Sequence, residues 1–279
     1  MRSLFFVPGS RPDMIAKVPR FSPDVAVVDL EDAVVTADKE TARASAVEAL
    51  SSLDLPVPMV VRVNAIDTRW FAGDIAAVVS LGLAGKVVGL VLPKLQRLSD
   101  LETLRSALGD WSPEVVVGGL ETALGVADAR TLIAPPVTAV FFGAEDYTVD
   151  MGGRRTPGGL EVLYARSQVV QAARLAGVPA IDQIVAAIRD PDAFRADASV
   201  GRDLGYAGKL CIHPSQVALA HEVFTPSEAE IAHAQAVIEA SRQAALGGSG
   251  AGVLDGEMVD EVHVRLATSV LRAAGLDVG

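Results

Sequence analysis

The chain has 279 residues, half of them hydrophobic, and a formal net charge of −11 at pH 7. That acidity excludes nucleic acid, whose phosphates would repel such a surface, and an anionic membrane face. The length is ample for one large core and ordinary for a single α/β barrel.

A single cysteine, Cys211, rules out an internal disulfide and points to a reducing compartment, so the cytoplasm is expected. The apolar stretch in Leu4–Pro8 is too short for a signal peptide, and no run approaches the roughly 20 apolar residues of a membrane span.

In chain order, eight short apolar runs read as strands. Leu4–Pro8 comes first, and Pro12 after it suits a first helical turn. Val25–Glu31, Met59–Asn64 and Val87–Lys94 follow; Ser99 and Glu102 then have the spacing of a capping box. Val115–Glu121 and Val137–Asp146 precede a long helix, Gly159–Ala176, which Gly177 would end. Val178–Val185 and Ala207–His213 complete the set, and Ser227 with Glu230 forms a second capping box.

Strand–helix alternation repeated eight times, with strands apolar on both faces, predicts a (β/α)8 barrel over residues 1–246. An open doubly wound sheet is disfavoured because no G-x-G-x-x-G or P-loop fingerprint follows a strand. Residues 247–279 read as a Gly-rich linker, Gly247–Gly252, and a lid helix. Val259, Val262, Leu266 and Val270 lie at helical spacing there and want a surface, on this barrel or on a neighbouring subunit.

Barrel enzymes place their chemistry at the carboxyl ends of the strands. Here those ends carry Arg11, Glu31, Asp32, Arg62, Lys94, Glu121, Asp146, Asp182 and His213. Glu121 and Asp146 end very apolar runs and would make a hard oxygen site suited to Mg²⁺; helix capping is the alternative, with Glu145 and Asp150 as rival ligands. No Cys/His cluster suggests zinc, and no signature of covalent catalysis is present.

Arg62, among apolar neighbours, needs an anionic partner: a substrate carboxylate or enolate, or else Glu31 or Asp32. Arg2, Arg11, Lys17 and Arg20 form a basic cluster that suits a phosphate-bearing ligand or, equally, a solvated helix face. His213 reads as a residue fixed at the rim by backbone hydrogen bonds rather than as an acid–base group.

Seven motifs occur in order: L-F-F-V-P-G-S-R-P from Leu4, D-L-E-D-A-V from Asp29, V-R-V-N from Val61, L-P-K from Leu92, L-E-T-A from Leu120, F-G-A-E-D from Phe142 and I-H-P-S-Q from Ile212. Together the chain resembles the citrate lyase beta-subunit-like group of the HpcH/HpaI aldolase family, over nearly its whole length. The resemblance implies a phosphoenolpyruvate/pyruvate-type TIM barrel, usually a homotrimer, acting on coenzyme A thioesters with Mg²⁺ (or Mn²⁺ in its place).

It also implies that Glu121 and Asp146 hold the metal, and that Arg62 contacts the keto-acid or thioester group. The G-E-M-V-D segment from Gly256 places an acid–base Asp260, reaching in from an adjacent subunit; Glu261-Val262 departs from relatives with a proline two residues after that aspartate. On this reading Arg11 and Lys17 meet coenzyme A phosphates. The expected reaction cleaves, or forms, a 3-hydroxyacyl-CoA from an acyl-CoA and a 2-oxo acid. A carrier-dependent citrate lyase subunit, a thioesterase and a non-catalytic binding protein are the alternatives.

Overall fold

The computed structural model describes residues 1–276, so the last three residues of the expected lid segment lie outside it. Eight parallel strands close into a barrel in sequence order: β1 (Ser3–Pro8), β2 (Val25–Asp29), β3 (Met59–Arg62), β4 (Gly89–Leu92), β5 (Val115–Leu120), β6 (Ala139–Phe142), β7 (Ala180–Asp182) and β8 (Gly208–Cys211). Pairing of β1 with β8, Ser3 opposite Lys209, completes the ring. The architecture is the expected (β/α)8 barrel.

All eight expected strands form, and after the first each is shorter than its apolar run. One shortening changes the site. β6 stops at Phe142, Gly143 takes the N-cap position, and Ala144–Asp150 coils into a helix. Asp146 therefore sits in a helix's first turn and not at a strand tip.

Side chains alternate along a strand with a period of two, so one parity fills the barrel and the other meets the helices. Leu4, Val27, Val60, Val117, Phe141 and Leu210 belong to the inner cluster. The same parity, carried upward from Val27, Val60 and Val117, brings Asp29, Arg62 and Glu121 to the mouth. The opposite parity turns Asp182 and Lys209 outward. There Arg166, on the helix Leu160–Ala176, donates from Nε to Asp182 at 2.8 Å, and Lys209 Nζ bonds both Asp182 and Asp197. Asp182, expected on the catalytic rim, is instead a buried structural anion.

Local signals fare unevenly. Pro12 opens a helical turn, Gly177 ends Leu160–Ala176 in the left-handed region at φ 73°, and Ser227 with Glu230 caps Glu228–Leu246. The Ser99–Glu102 box does not form. The helix starts two residues earlier, at Leu98 with Arg97 as N-cap, and Asp100 accepts from the backbone amides of Gln96 and Arg97.

A second compact unit begins at Val223. The helix Glu228–Leu246, expected within the barrel domain, packs here with the C-terminal segment. The expected linker and helix also change. Asp255 and Gly256, at φ 54° and 86°, turn a hairpin between Gly252–Leu254 and Glu257–Val259. The last helix consequently begins at Glu261, not near Glu257.

Its buried face is Ala267 and Leu271, packed with Val259, Ala234 and Val237, whereas Val262 and Leu266 are exposed. Part of the apolar face therefore finds cover within its own unit, and Val262 and Leu266 do not. No helix among the described residues is long and apolar enough to cross a membrane.

Candidate active site

A cavity of about 300 Å³ opens over the inner core, lined among others by Phe6, Asp29, Arg62, Glu121, Gly143 and Asp146. A second cavity, of about 350 Å³, shares Glu121 and Asp146 and is otherwise bounded by residues including Lys94, Arg97 and Asp150. The two carboxylates stand where the cavities meet.

Asp29 organises the first side. Its carboxylate accepts from Arg62 Nε and Nη2, both at 2.7 Å, and from the backbone amides of Glu31 and Ala33. Arg62 Nη1 lies 3.0 Å from Glu31 Oε2, and the guanidinium stacks 5.1 Å from the centre of the Phe6 ring. Burial alone would weaken the charge on Arg62, but Asp29 and Glu31 outweigh it and drive its pKa upward. Arg62 was expected to meet Glu31 or Asp32 or a substrate; its main protein partner is Asp29, and Glu31 is the second.

Lys94 organises the other side. It is one of few non-glycine residues in the left-handed region, at φ 51°. Its backbone amide donates to Glu121 Oε1 at 2.8 Å, and its ammonium donates to Glu31 Oε1 at 2.8 Å while lying 3.6 Å from Asp146 Oδ1. Burial opposes the ammonium's charge, but Glu31 and Asp146 raise its pKa.

Glu121 is 2 % exposed. Burial, with Glu31 and Asp146 adding their negative charge, pushes its carboxyl up to about 8 against the pull of Arg62. A Cβ on Gly143 would collide with Glu121 Oε2, so the carboxylate lies directly on that glycine's backbone. Glu31 Oε2 is buried without a hydrogen bond, and burial raises that carboxyl too.

The capping alternative for both carboxylates is answered. Thr122 caps the helix after β5 by accepting from Gly125, and the helix Ala144–Asp150 has no side-chain cap. The rival ligands are engaged elsewhere: Glu145 with Arg155, and Asp150 with the Ala123 amide.

The donor chemistry fits a divalent metal. With every carboxylate ionised, Asp29, Glu31, Asp32, Glu121 and Asp146 outnumber the nearby cations Lys39, Arg62 and Lys94 by two charges, an excess that a proton on Glu121 reduces to one. Among the described residues no group of three or more His, Cys, Asp or Glu gathers around one point. Two carboxylates with the remaining positions left to water or substrate suit Mg²⁺.

Other expected residues lie apart. Arg11 and Lys17 both pair with Asp13 on the surface, and neither lines the cavity. His213 is half-buried, and its Nδ1 accepts from the Ser215 backbone amide and pairs with the Ser215 hydroxyl. Asp260 belongs to the second unit. It caps the final helix by accepting from Val262 and His263, and the His263 contact holds its carboxyl below the usual range.

Residues 2–214 match the family model for HpcH/HpaI aldolase/citrate lyase. The chain belongs to this family, whose named members are enzymes. It is 49 % identical over 278 residues to the citrate lyase subunit beta-like protein of Deinococcus radiodurans, covering 97 % of this chain and 96 % of that one. It is 33 % identical over 278 residues to a (3S)-malyl-CoA thioesterase of Cereibacter sphaeroides, covering 98 % and 94 %. Mycobacterium tuberculosis CitE, solved in complex with magnesium, acetoacetate and coenzyme A, superimposes with a TM-score of 0.83 at 31 % identity, over 98 % of each chain.

Proposed function

We propose that this protein is a Mg²⁺-dependent carbon–carbon lyase that cleaves a 3-hydroxyacyl-CoA into an acyl-CoA and a 2-oxo acid, or runs the reverse condensation. One observation carries the reading: Glu121, Asp146 and Arg62 face a single cavity with an excess of negative charge on the metal side and a fixed guanidinium beside it. When bound, the metal supplies a Lewis acid and a template for the substrate carboxylate and hydroxyl.

The chain's residues do the rest. Glu121 and Asp146 would hold that ion. Breaking the bond between the α and β carbons leaves its electron pair on the thioester, as an enolate, while the hydroxyl loses its proton and becomes the ketone of the 2-oxo acid. Arg62, held flat by Asp29, offers its free N–H groups to the enolate oxygen, a role worth roughly 10²–10³-fold in such sites. Protonation of the enolate carbon completes the acyl-CoA.

The base for the hydroxyl proton is assigned by resemblance to Asp260 of a neighbouring subunit, in a homotrimer. The assignment is tested by mixing Asp260→Ala and Asp146→Asn proteins under subunit exchange; partial activity should return, and its absence despite proven exchange removes Asp260 from that role.

Hydrolysis of the thioester is the second reading, favoured by the malyl-CoA thioesterase relative. A panel of citryl-, malyl-, methylmalyl- and hydroxymethylglutaryl-CoA with Mg²⁺ separates the two. A lyase yields an intact acyl-CoA and an oxo acid, a 2-oxo acid from the first three and a 3-oxo acid from hydroxymethylglutaryl-CoA; free coenzyme A with an intact hydroxy acid means hydrolysis. EDTA should abolish either activity and Mg²⁺ restore it, and full turnover in verified metal-free protein would sink the metal assignment.

A further inference from the structure

Lys94 is the residue that the proposed chemistry leaves unused, although it reaches Glu31, Glu121 and Asp146 at once. Its amide holds Glu121, its ammonium holds Glu31, and the same ammonium is the nearest protein cation to Asp146, at 3.6 Å. Its left-handed backbone, which a lysine rarely adopts, accompanies an arrangement in which amide and ammonium serve neighbouring carboxylates at once.

We propose that Lys94 is a tethered counter-cation of the metal site, which neutralises Asp146 when no divalent ion is present and must yield it when one binds. The proposal rests on the metal reading given above. Lys94 then acts on the metal through the carboxylates and is a positioning residue. It keeps the metal side from repelling itself apart in the empty protein, and it sets a threshold below which a weakly held cation cannot displace it.

Two opposing effects must be weighed. The Lys94 amide preorganises Glu121, which favours the metal; any substitution other than proline keeps that N–H. The ammonium competes for Asp146 and, at a few ångströms, repels an incoming divalent ion. At the effective dielectric of such sites this repulsion outweighs the loss of a half-exposed ion pair. Removing only the charge should therefore tighten metal binding.

The test uses calorimetric titration of the metal-free full chain with Mg²⁺, and electron paramagnetic resonance with Mn²⁺. Lys94→Met keeps the apolar stem and the amide, and should lower the Mg²⁺ Kd by roughly tenfold or more. Lys94→Arg retains the charge and should stay within about threefold of the wild-type value. In thermal unfolding, metal-free Lys94→Met should melt lower than wild type and gain more on adding Mg²⁺.

An unchanged or weaker Kd in folded Lys94→Met, with wild type binding normally, overturns the role of Lys94 and leaves the metal site standing. Equal tightening in Lys94→Arg overturns it as well, because the charge would then be irrelevant. Failure of both wild type and variant to bind Mg²⁺ would overturn the metal assignment and this proposal together.

Discussion

Behind β7 and β8, Arg166 and Lys209 meet Asp182 and Asp197, two cations against two anions, and Gln183 and Tyr206 complete the hydrogen bonds. At the cavity, Arg62 and Lys94 meet Asp29, Glu31, Glu121 and Asp146, and Glu31 Oε2 is buried with the Arg62 ion pair but no well-aligned hydrogen bond. Both clusters use the same residue types within one barrel. The first is balanced and closed by protein alone, as a buried ion network must be to avoid a large desolvation cost. The second is short of positive charge and opens to a cavity. The imbalance, rather than the burial of charge, is what sets the candidate site apart.

The comparison can be broken most forcefully at Asp182. Asp182→Ala should destabilise the fold by about 3–5 kcal/mol by leaving Lys209 and Arg166 underpaired. Mg²⁺ affinity of the folded fraction should be unchanged. Denaturant unfolding with calorimetry checks both, and a normal stability with lost metal binding would invert the two assignments.

Next in size is Arg62→Lys, which keeps the charge but loses the planar fork that grips Asp29. A loss of roughly 10²-fold in kcat/KM is expected. Near wild-type kinetics would leave Arg62 as an ion-pair partner of Asp29 only.

The pH dependence is smaller but specific. Glu121, raised to about 8 by burial and its acidic neighbours, is protonated at neutral pH in the metal-free protein. Metal binding must expel that proton, so the apparent Kd should fall by at most about tenfold per pH unit on approaching pH 8 and level off above it. Titration in buffers of different ionisation heat should count about one proton released at pH 7. Glu121→Gln should release none from this position.

The least effect belongs outside both clusters. Ser227→Ala removes the cap of Glu228–Leu246 and should cost about 1 kcal/mol in thermal unfolding without touching metal affinity.

The barrel was legible because eight apolar runs survive any uncertainty in their ends. Glu121 and Asp146 were legible as polar residues after such runs. Asp29 was missed as the partner of Arg62 because β2 was read two residues too long, which moved attention to Glu31 and Asp32. Counting by twos from Val27 would have found it.

Lys94 was legible as a charged strand-end residue, but nothing around a Pro-Lys pair announces the left-handed backbone that accompanies its contacts with Glu31 and Glu121. In the C-terminal segment the Asp255-Gly256 pair is a recognised hairpin signal. The glycine-rich stretch before it obscured that signal, and helical spacing then picked Val262 and Leu266 for burial in place of Ala267 and Leu271.

The clearance at Gly143 carries a consequence for the tolerance of this site to mutation. Gly143 has φ −99°, a value open to every amino acid, so conformation does not demand glycine there. Only volume does: a methyl group would take the space of Glu121 Oε2. Among variants selected for activity, even alanine should be depleted at this position, while a screen for folded protein alone should accept it far more readily. A gap between two such screens at one position would show a glycine kept for the ligand's sake and not for the chain's.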